Sequence, residues 1–441
     1  MSIVPLLNAL LLPALIQIAP QVEASQSIPS PVGAWSGAIQ IPGMDLAIRV
    51  ELTKAEGWSG RISIPAQGLK DQALVDVNAE GGSVTFRMPG IPGDPAFKGR
   101  IEADGALRGT FTQGGQNFPF TLQREGTSFA AKTPALVATT PGREITFPGF
   151  NAFPLKGSVL AGGAHPYFAV MVAGSGPTDR DWASSAMPIG HAGRDFALWL
   201  QSRQIGSLRY DKRFIGAKDP KLDVSLDAQV GDIQAALHAA RALPEAKGKR
   251  LLLIGHSEGA LLALIASKEA DALLLIGLPG QTMAKTIRAQ IEAQLPPDTR
   301  EVNLEFVDAM LDAVRKGKPD APVMKTGVYP GIANLAKSFM RPETAAFVRS
   351  TMDLDPIAMA ERVAMPMAIV WGDKDVQTWK PGTLPEALKP KVIELKDANH
   401  LLRKETRPRA EINGANAMST YNDSTPMAEL SPLARWLENL R

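Results

Sequence analysis

The chain has no cysteine among its 441 residues. Disulfides, thiolate metal sites and a lipid-modified N-terminal cysteine are therefore excluded, although this absence names no compartment. Net charge is scarce as well. The 47 Lys and Arg against 45 Asp and Glu leave +2, which gives no reason to expect nucleic acid or an anionic membrane as partner. Only 5 histidines occur, and they form no close pair, so no metal site is expected. There is no G-x-x-x-x-G-K-[ST] phosphate loop. Gly174-Ser175-Gly176 lacks the third glycine of a dinucleotide fingerprint, so no cofactor is expected either. What remains is an ordinary globular composition, 45% hydrophobic and 21% charged, with length for two or three domains.

The N-terminus lacks a basic leader but is otherwise distinctive. Residues 5–20 are almost uniformly apolar, interrupted by Asn8 and Gln17, and the first charge is Glu23. Pro13 breaks the run, which is short of the roughly 20 clean apolar residues a membrane helix needs. Val22-Glu23-Ala24 puts small residues where a signal peptidase reads. Residues 1–24 are thus expected to be an export signal cleaved before Ser25. The mature chain would be periplasmic or secreted, without membrane insertion.

From residue 25 to 125, short apolar/polar alternations are separated by Gly81-Gly82, Pro89-Gly90, Asp104-Gly105 and Gly114-Gly115. Strands are expected at 34–41, 45–52, 60–64, 83–88, 97–101, 109–112 and 117–122, forming a small all-β sandwich or barrel. Trp35 and Trp58 read as core rather than as ligand-binding aromatics. Residues 126–142, rich in Thr, Ala and Pro, read as a linker.

Residues 143–441 alternate strand with helix, the mark of a mostly parallel α/β sheet. A leading antiparallel pair is expected at 144–147 and 155–160. Further strands are expected at 167–173, 205–210, 251–254, 272–277, 367–372 and 391–395. Helices are expected at 195–203, 228–243 and 428–440, with 405–427 a long polar loop. A helical stretch at about 282–361 interrupts the rhythm and reads as a cap over the carboxyl ends of the strands, where such sheets bind ligands.

The stretch that organises this half is LLLIGHSEGALLALIA, residues 251–266. A buried strand, a G-x-S-x-G turn and a buried helix form a nucleophile elbow, which thrusts the Ser257 hydroxyl out of the sheet. A serine needs a base, and the base needs an orienting acid. Asp375 follows the 367–372 strand and His400 follows the 391–395 strand, placing both at the sheet edge of Ser257 in the order Ser, Asp, His. Asp373 is a rival acid, nearer on the turn and better placed to brace it. His256 is expected to turn inward; His238 lies mid-helix, His165 before a strand and His191 in a surface loop. The backbone N–H groups of Glu258 and Ser175 are expected to bind the oxyanion.

AGSGPTDRD (173–181), LRYDKR (208–213), GHSEG (255–259), WGDKD (371–375) and NHLL (399–402) resemble, in order, secreted bacterial α/β-hydrolases. These are esterase and serine-aminopeptidase-like proteins that often carry an extra N-terminal β-domain. The likeness spans about residues 143–441. It implies the α/β-hydrolase fold, a Ser257–Asp375–His400 triad and cofactor-free hydrolysis of a small-molecule carboxylic ester. One departure is that Phe214-Ile215-Gly216 follows LRYDKR where the family usually has glycine, which bears on acyl shape. An aminopeptidase or amidase is the alternative, with Glu301, Glu305 and Asp308 holding a substrate ammonium. A binding protein that has lost turnover is a third reading. Oligomeric state is not legible in the sequence.

Overall fold

A computed structural model describes residues 30–440, except 42–43, 65–68, 92–94, 114–115, 126–140, 177, 184–189, 216–221, 294, 296, 318–321, 323–324 and 413–416. The expected export signal lies outside the described residues, as do Gly114, Gly115, Gly216 and nearly all of the expected linker.

The first unit is all β: β1 (Gly33–Ile41), β2 (Met44–Lys54), β3 (Trp58–Ile64), β4 (Leu69–Ala73), β5 (Val75–Glu80), β6 (Ser83–Arg87), β7 (Ala96–Ile101), β8 (Leu107–Gln113) and β9 (Gln116–Arg124). They form one nine-stranded sheet in the order β4-β3-β2-β1-β9-β8-β7-β6-β5, antiparallel throughout. Edge strands β4 and β5 are separated only by Leu74, whose N–H donates to Gly60 O at 2.9 Å, so the sheet curls nearly closed. Of the two architectures expected, this single, nearly closed sheet is nearer the barrel than the two-sheet sandwich. In its interior Phe97 stacks on Phe86 (4.6 Å), lies tilted against Phe111 (4.7 Å) and meets Phe120 edge to face (5.3 Å), contacts each worth about 0.5–1.5 kcal/mol beyond burial. Trp35 is fully buried, its indole N–H on Pro31 O; Trp58 packs partly against the same core, under Lys54.

The second unit is built on β10 (Arg143–Pro148), β11 (Pro154–Leu160), β12 (Tyr167–Val172), β13 (Gly206–Tyr210), β14 (Arg250–His256), β15 (Ala272–Ile276), β16 (Met367–Gly372) and β17 (Val392–Leu395). The order is β10-β11-β13-β12-β14-β15-β16-β17. The β10–β11 and β11–β13 pairs are antiparallel and all others parallel. β12 and β15 are buried along their whole length, which is why they read as unbroken apolar runs rather than alternations. Leu252 and Ile254 face one layer, with α1 (Ala192–Ser202) and α9 (Ser431–Asn439). Leu251 and Leu253 face the other, with α2 (Leu226–Ala242) and α3 (Glu258–Ile265).

Between β15 and β16 lie α4 (Met283–Glu292), α5 (Pro297–Arg315), α6 (Pro330–Phe339), α7 (Pro342–Thr351) and α8 (Pro356–Glu361). The first four share a core of their own around Val307, Met310, Ala336 and Met352. α8, inside the expected cap by sequence, instead buries Ala360 in the sheet core. Gln290 of α4 donates to Gln377 O at 2.6 Å, joining this helical layer to the turn after β16. α9 begins at Ser431 rather than 428. Residues 405–427 contain two 3-10 turns, Arg409–Glu411 and Ala417–Thr420, around buried Tyr421 and Glu405.

Candidate active site

The parallel strands bring the singled-out residues to one edge. Ser257 follows β14 directly, Asp375 and His400 lie in the loops after β16 and β17, and the Gly174–Ser175 loop follows β12. Ser257 has φ 56° and ψ −122°, a left-handed-side backbone that an L-residue holds only under constraint. The constraint is steric and hydrogen-bonded. Its N–H donates to Ile276 O at 2.8 Å. A Cβ at Gly255 would stand 2.3 Å from Gly259 O, and one at Gly259 would stand 2.4 Å from Ala173 O. The elbow therefore closes only because both flanking positions are glycine.

His400 Nδ1 and Asp375 Oδ2 are 2.7 Å apart, both side chains buried. Oδ1 accepts from the N–H of Gln377 (2.7 Å) and Thr378 (2.9 Å), and Oδ2 also accepts from Thr378 Oγ1 (2.9 Å). Burial alone would raise the Asp375 pKa. The charge and hydrogen bond of His400, joined by the two backbone donors, outweigh it and the net direction is down, so the acid stays ionised. A carboxylate at Nδ1 fixes the imidazole with its proton there and leaves Nε2 as a base. Asp373 is held away from His400: its N–H bonds Leu395 O, and Lys374 lies 3.6 Å from its carboxylate.

His256 turns inward, stacked on Trp182 at 4.5 Å. Its Nε2 donates to the carbonyl of His400 at 2.9 Å, tying the histidine loop to the residue beside the nucleophile. Burial, with a push from His400, takes its pKa down to about 3; it is a neutral strut. Among the described residues no hydrogen bond joins Ser257 Oγ to His400. Such bonds commonly tighten only with substrate in place.

The β12 loop lies against the elbow: a Cβ at Gly174 would be 3.4 Å from Ser257 Cβ. Thr178 Oγ1 donates to Ser175 O at 2.7 Å. No acceptor meets the Ser175 N–H among the described residues, and the Glu258 N–H opens α3, where N–H groups lack intrahelical partners. Both groups can thus receive an oxyanion.

The remaining singled-out residues lie elsewhere. His238 is exposed and pairs with Glu269 at 2.6 Å. His165 bonds Leu437 O, and His191 bonds Asp423 at 2.7 Å. Glu301, Glu305 and Asp308 are all exposed; Glu305 pairs with Lys325 and Asp308 with Arg288. Sequence reasoning missed Thr378, which clamps the acid, and the way two motifs grip each other. Arg180 binds Asp211 through two nitrogens (3.0 and 2.6 Å), Arg209 binds Asp181, and Lys212 binds Gly174 O. The signal was present as opposite charges in TDRD and RYDKR. Among the described residues no group of three or more His, Asp or Glu side chains could hold a metal ion, and no helix is long and apolar enough to cross a membrane.

Comparison with known proteins supplies the lineage. Esterase EstD of Thermotoga maritima is 26% identical over 264 residues, covering 57% of this chain and 58% of the relative. The chain thus spans less than two thirds of that relative's length. Among solved structures, a Pyrococcus furiosus esterase is 16% identical with TM-score 0.40, covering 68% of this chain and 90% of its own. The α/β hydrolase GrgF of Penicillium sp. sh18 is 18% identical with TM-score 0.38, covering 59% and 91%. A proline iminopeptidase of Mycobacterium smegmatis is 15% identical with TM-score 0.37, covering 59% and 92%. A family model described as the alpha/beta hydrolase family matches residues 169–415. That span exceeds half the chain and takes in β14, the elbow, Asp375 and His400, and the chain belongs to the alpha/beta hydrolase family.

Proposed function

We propose that the protein is a serine hydrolase of carboxylic esters working through an acyl-enzyme. The observation that carries the reading is the buried Asp375–His400 pair, 2.7 Å apart, at the strand edge that also presents Ser257 on a constrained elbow. His400 Nε2 takes the proton as Ser257 Oγ attacks the ester carbonyl. Asp375 orients the imidazole and stabilises its charged form. The N–H groups of Ser175 and Glu258 hold the oxyanion of the tetrahedral intermediate. Collapse expels the alcohol with the proton returned from His400, and a water deprotonated by the same nitrogen then releases the acid.

The esterase name of the Thermotoga relative favours ester over amide. So does the pairing of Glu305 and Asp308 with cations, since a substrate ammonium would have to displace Lys325 and Arg288. The test is hydrolysis of p-nitrophenyl esters from acetate to palmitate beside aminoacyl p-nitroanilides, by wild type and Ser257→Ala. Ester turnover abolished by the substitution is the expected result, and the chain-length profile then sizes the acyl pocket. Anilide turnover without ester turnover would overturn the ester assignment.

A further inference from the structure

The LRYDKR segment has a buried lysine that none of the proton transfers above requires. Lys212 Nζ donates to the carbonyl of Gly174 and lies 3.2 Å from Glu258 Oε1. Its side chain is 5% exposed and that of Glu258 is 12% exposed. The Phe214 ring centroid lies 5.4 Å from the ammonium and covers it. These two partners are not arbitrary. Gly174 immediately precedes one oxyanion donor, and Glu258 carries the other.

Peptide geometry makes the first contact directional. The Gly174 carbonyl and the Ser175 N–H belong to one planar trans unit and point in opposite directions. Fixing the oxygen on Lys212 therefore fixes where the Ser175 hydrogen points. The carbonyl on the other side of Ser175 is fixed as well, by Thr178 Oγ1 at 2.7 Å. Burial lowers the Lys212 pKa against the opposing pull of Glu258, but Nζ–H donates in either protonation state, and a donor on the carbonyl polarises the peptide and strengthens its N–H. Lys212 is in turn held to the same loop by its neighbours: Asp211 binds the Arg180 backbone N–H (3.0 Å) and guanidinium, and Arg209 binds Asp181. Through Glu258 the same ammonium reaches the first residue of α3.

Resting on the acyl-enzyme reading above, we infer that Lys212 is the positioning residue of the oxyanion hole, orienting the Ser175 N–H through the Gly174 carbonyl and coupling it to the Glu258 segment. Lys212 touches no reacting atom. Its loss leaves the hydrogen-bond donor in the chain but lets the peptide turn away.

The test compares wild type with Lys212→Met, which keeps the stem and loses the donor, and Lys212→Gln, whose amide is one atom shorter and uncharged. Four quantities are read: kcat and KM on p-nitrophenyl acetate, the inhibition constant of an alkyl trifluoromethyl ketone, and the melting temperature. The ketone forms a hemiketal whose oxyanion occupies the same site, so its affinity reports the donors rather than the proton transfers. Lys212→Met is expected to lose about 30- to 300-fold in kcat, overlapping and reaching somewhat below the roughly 10²–10³ that follows outright loss or misplacement of an oxyanion donor. KM should move less than about 3-fold, since ground-state binding is spared. Inhibitor affinity should fall by the same factor as kcat, and Lys212→Gln should show a smaller matched loss.

A folded Lys212→Met with kcat and inhibitor affinity within about 3-fold of wild type overturns the inference, as does a kcat loss with inhibitor affinity unchanged. If the Met variant does not fold, Lys212→Gln decides: a matched loss supports the assignment and wild-type values in both overturn it. An inactive wild type, or one whose turnover survives Ser257→Ala, overturns the functional reading and this inference together. An active wild type with unaffected Lys212 variants overturns only the role of Lys212.

Discussion

Asp375 is engaged on both oxygens, and that decides what a single-atom change would do. In Asp375→Asn the amide oxygen can still accept from the Gln377 and Thr378 N–H groups, so the turn survives. The new NH2 faces His400 Nδ1 and selects the wrong tautomer. Steady-state assay should show kcat down by about 10³–10⁴-fold, while Asp373→Asn stays within about 3-fold. His256 makes a second prediction, on pH. Its folded pKa, about 3, lies below the unfolded value of about 6.5. Between those limits the unfolded chain takes up a proton that the folded chain refuses, so the stability it contributes is complete above about pH 6.5 and drains as pH falls toward 3. Chemical denaturation from pH 6 to 4 should show a wild-type slope steeper than that of His256→Gln by up to about 1.4 kcal/mol per pH unit; equal slopes would remove His256 as the titrating group. Asp375 and His400 were legible in the sequence because order and strand end locate them. Thr378 was not, because its role depends on how the three-residue turn after Asp375 folds back.

Among elements, the strand–turn–helix of the elbow was the most legible, since four aliphatic residues, two glycines and an apolar helix satisfy burial and close approach together. The glycine requirement is testable. Gly255→Ala would drive a methyl to 2.3 Å from Gly259 O and 2.5 Å from Ala260 Cα, both backbone. Denaturant unfolding should report a loss of about 3 kcal/mol or more, or no folded protein. A second element-level prediction concerns α2. Its Asp232 is bound by Arg213 through two nitrogens, at 2.8 and 2.6 Å, with both side chains buried. Arg213→Met should cost about 3–5 kcal/mol by stranding a buried carboxylate, and Arg213→Met with Asp232→Leu should recover most of it. Strands β4 and β5 were not legible. LKDQA and VDVNAE expose much of their length as edge strands, and their pairing with β3 and β6, not their own alternation, makes them strands. α9 begins three residues later than its apolar pattern suggests, at Ser431-Pro432, where proline fits the first turn.

For the whole molecule, the mostly parallel sheet and the all-β unit before it were legible in pattern, because a parallel sheet forces continuous apolar strands while a one-faced sheet forces alternation; the order of the strands in the sheet was not. The choice of barrel over sandwich was not legible, since alternation leaves closure undetermined. Each unit has its own apolar core. A fragment of residues 30–125 should therefore show a cooperative melt of its own; a non-cooperative melt would make the barrel dependent on the rest of the chain. We propose, from the apolar run and Val22-Glu23-Ala24 alone, that residues 1–24 act as an export signal; N-terminal sequencing of exported protein should then begin at Ser25. The central claim is that one serine in the entire chain is the nucleophile, and intact-mass measurement after reaction with a fluorophosphonate tests it most directly. One adduct per chain is expected, mapped by peptide sequencing to Ser257 and absent from folded Ser257→Ala. An adduct on another residue, or an unmodified folded wild type that still hydrolyses esters, would contradict it.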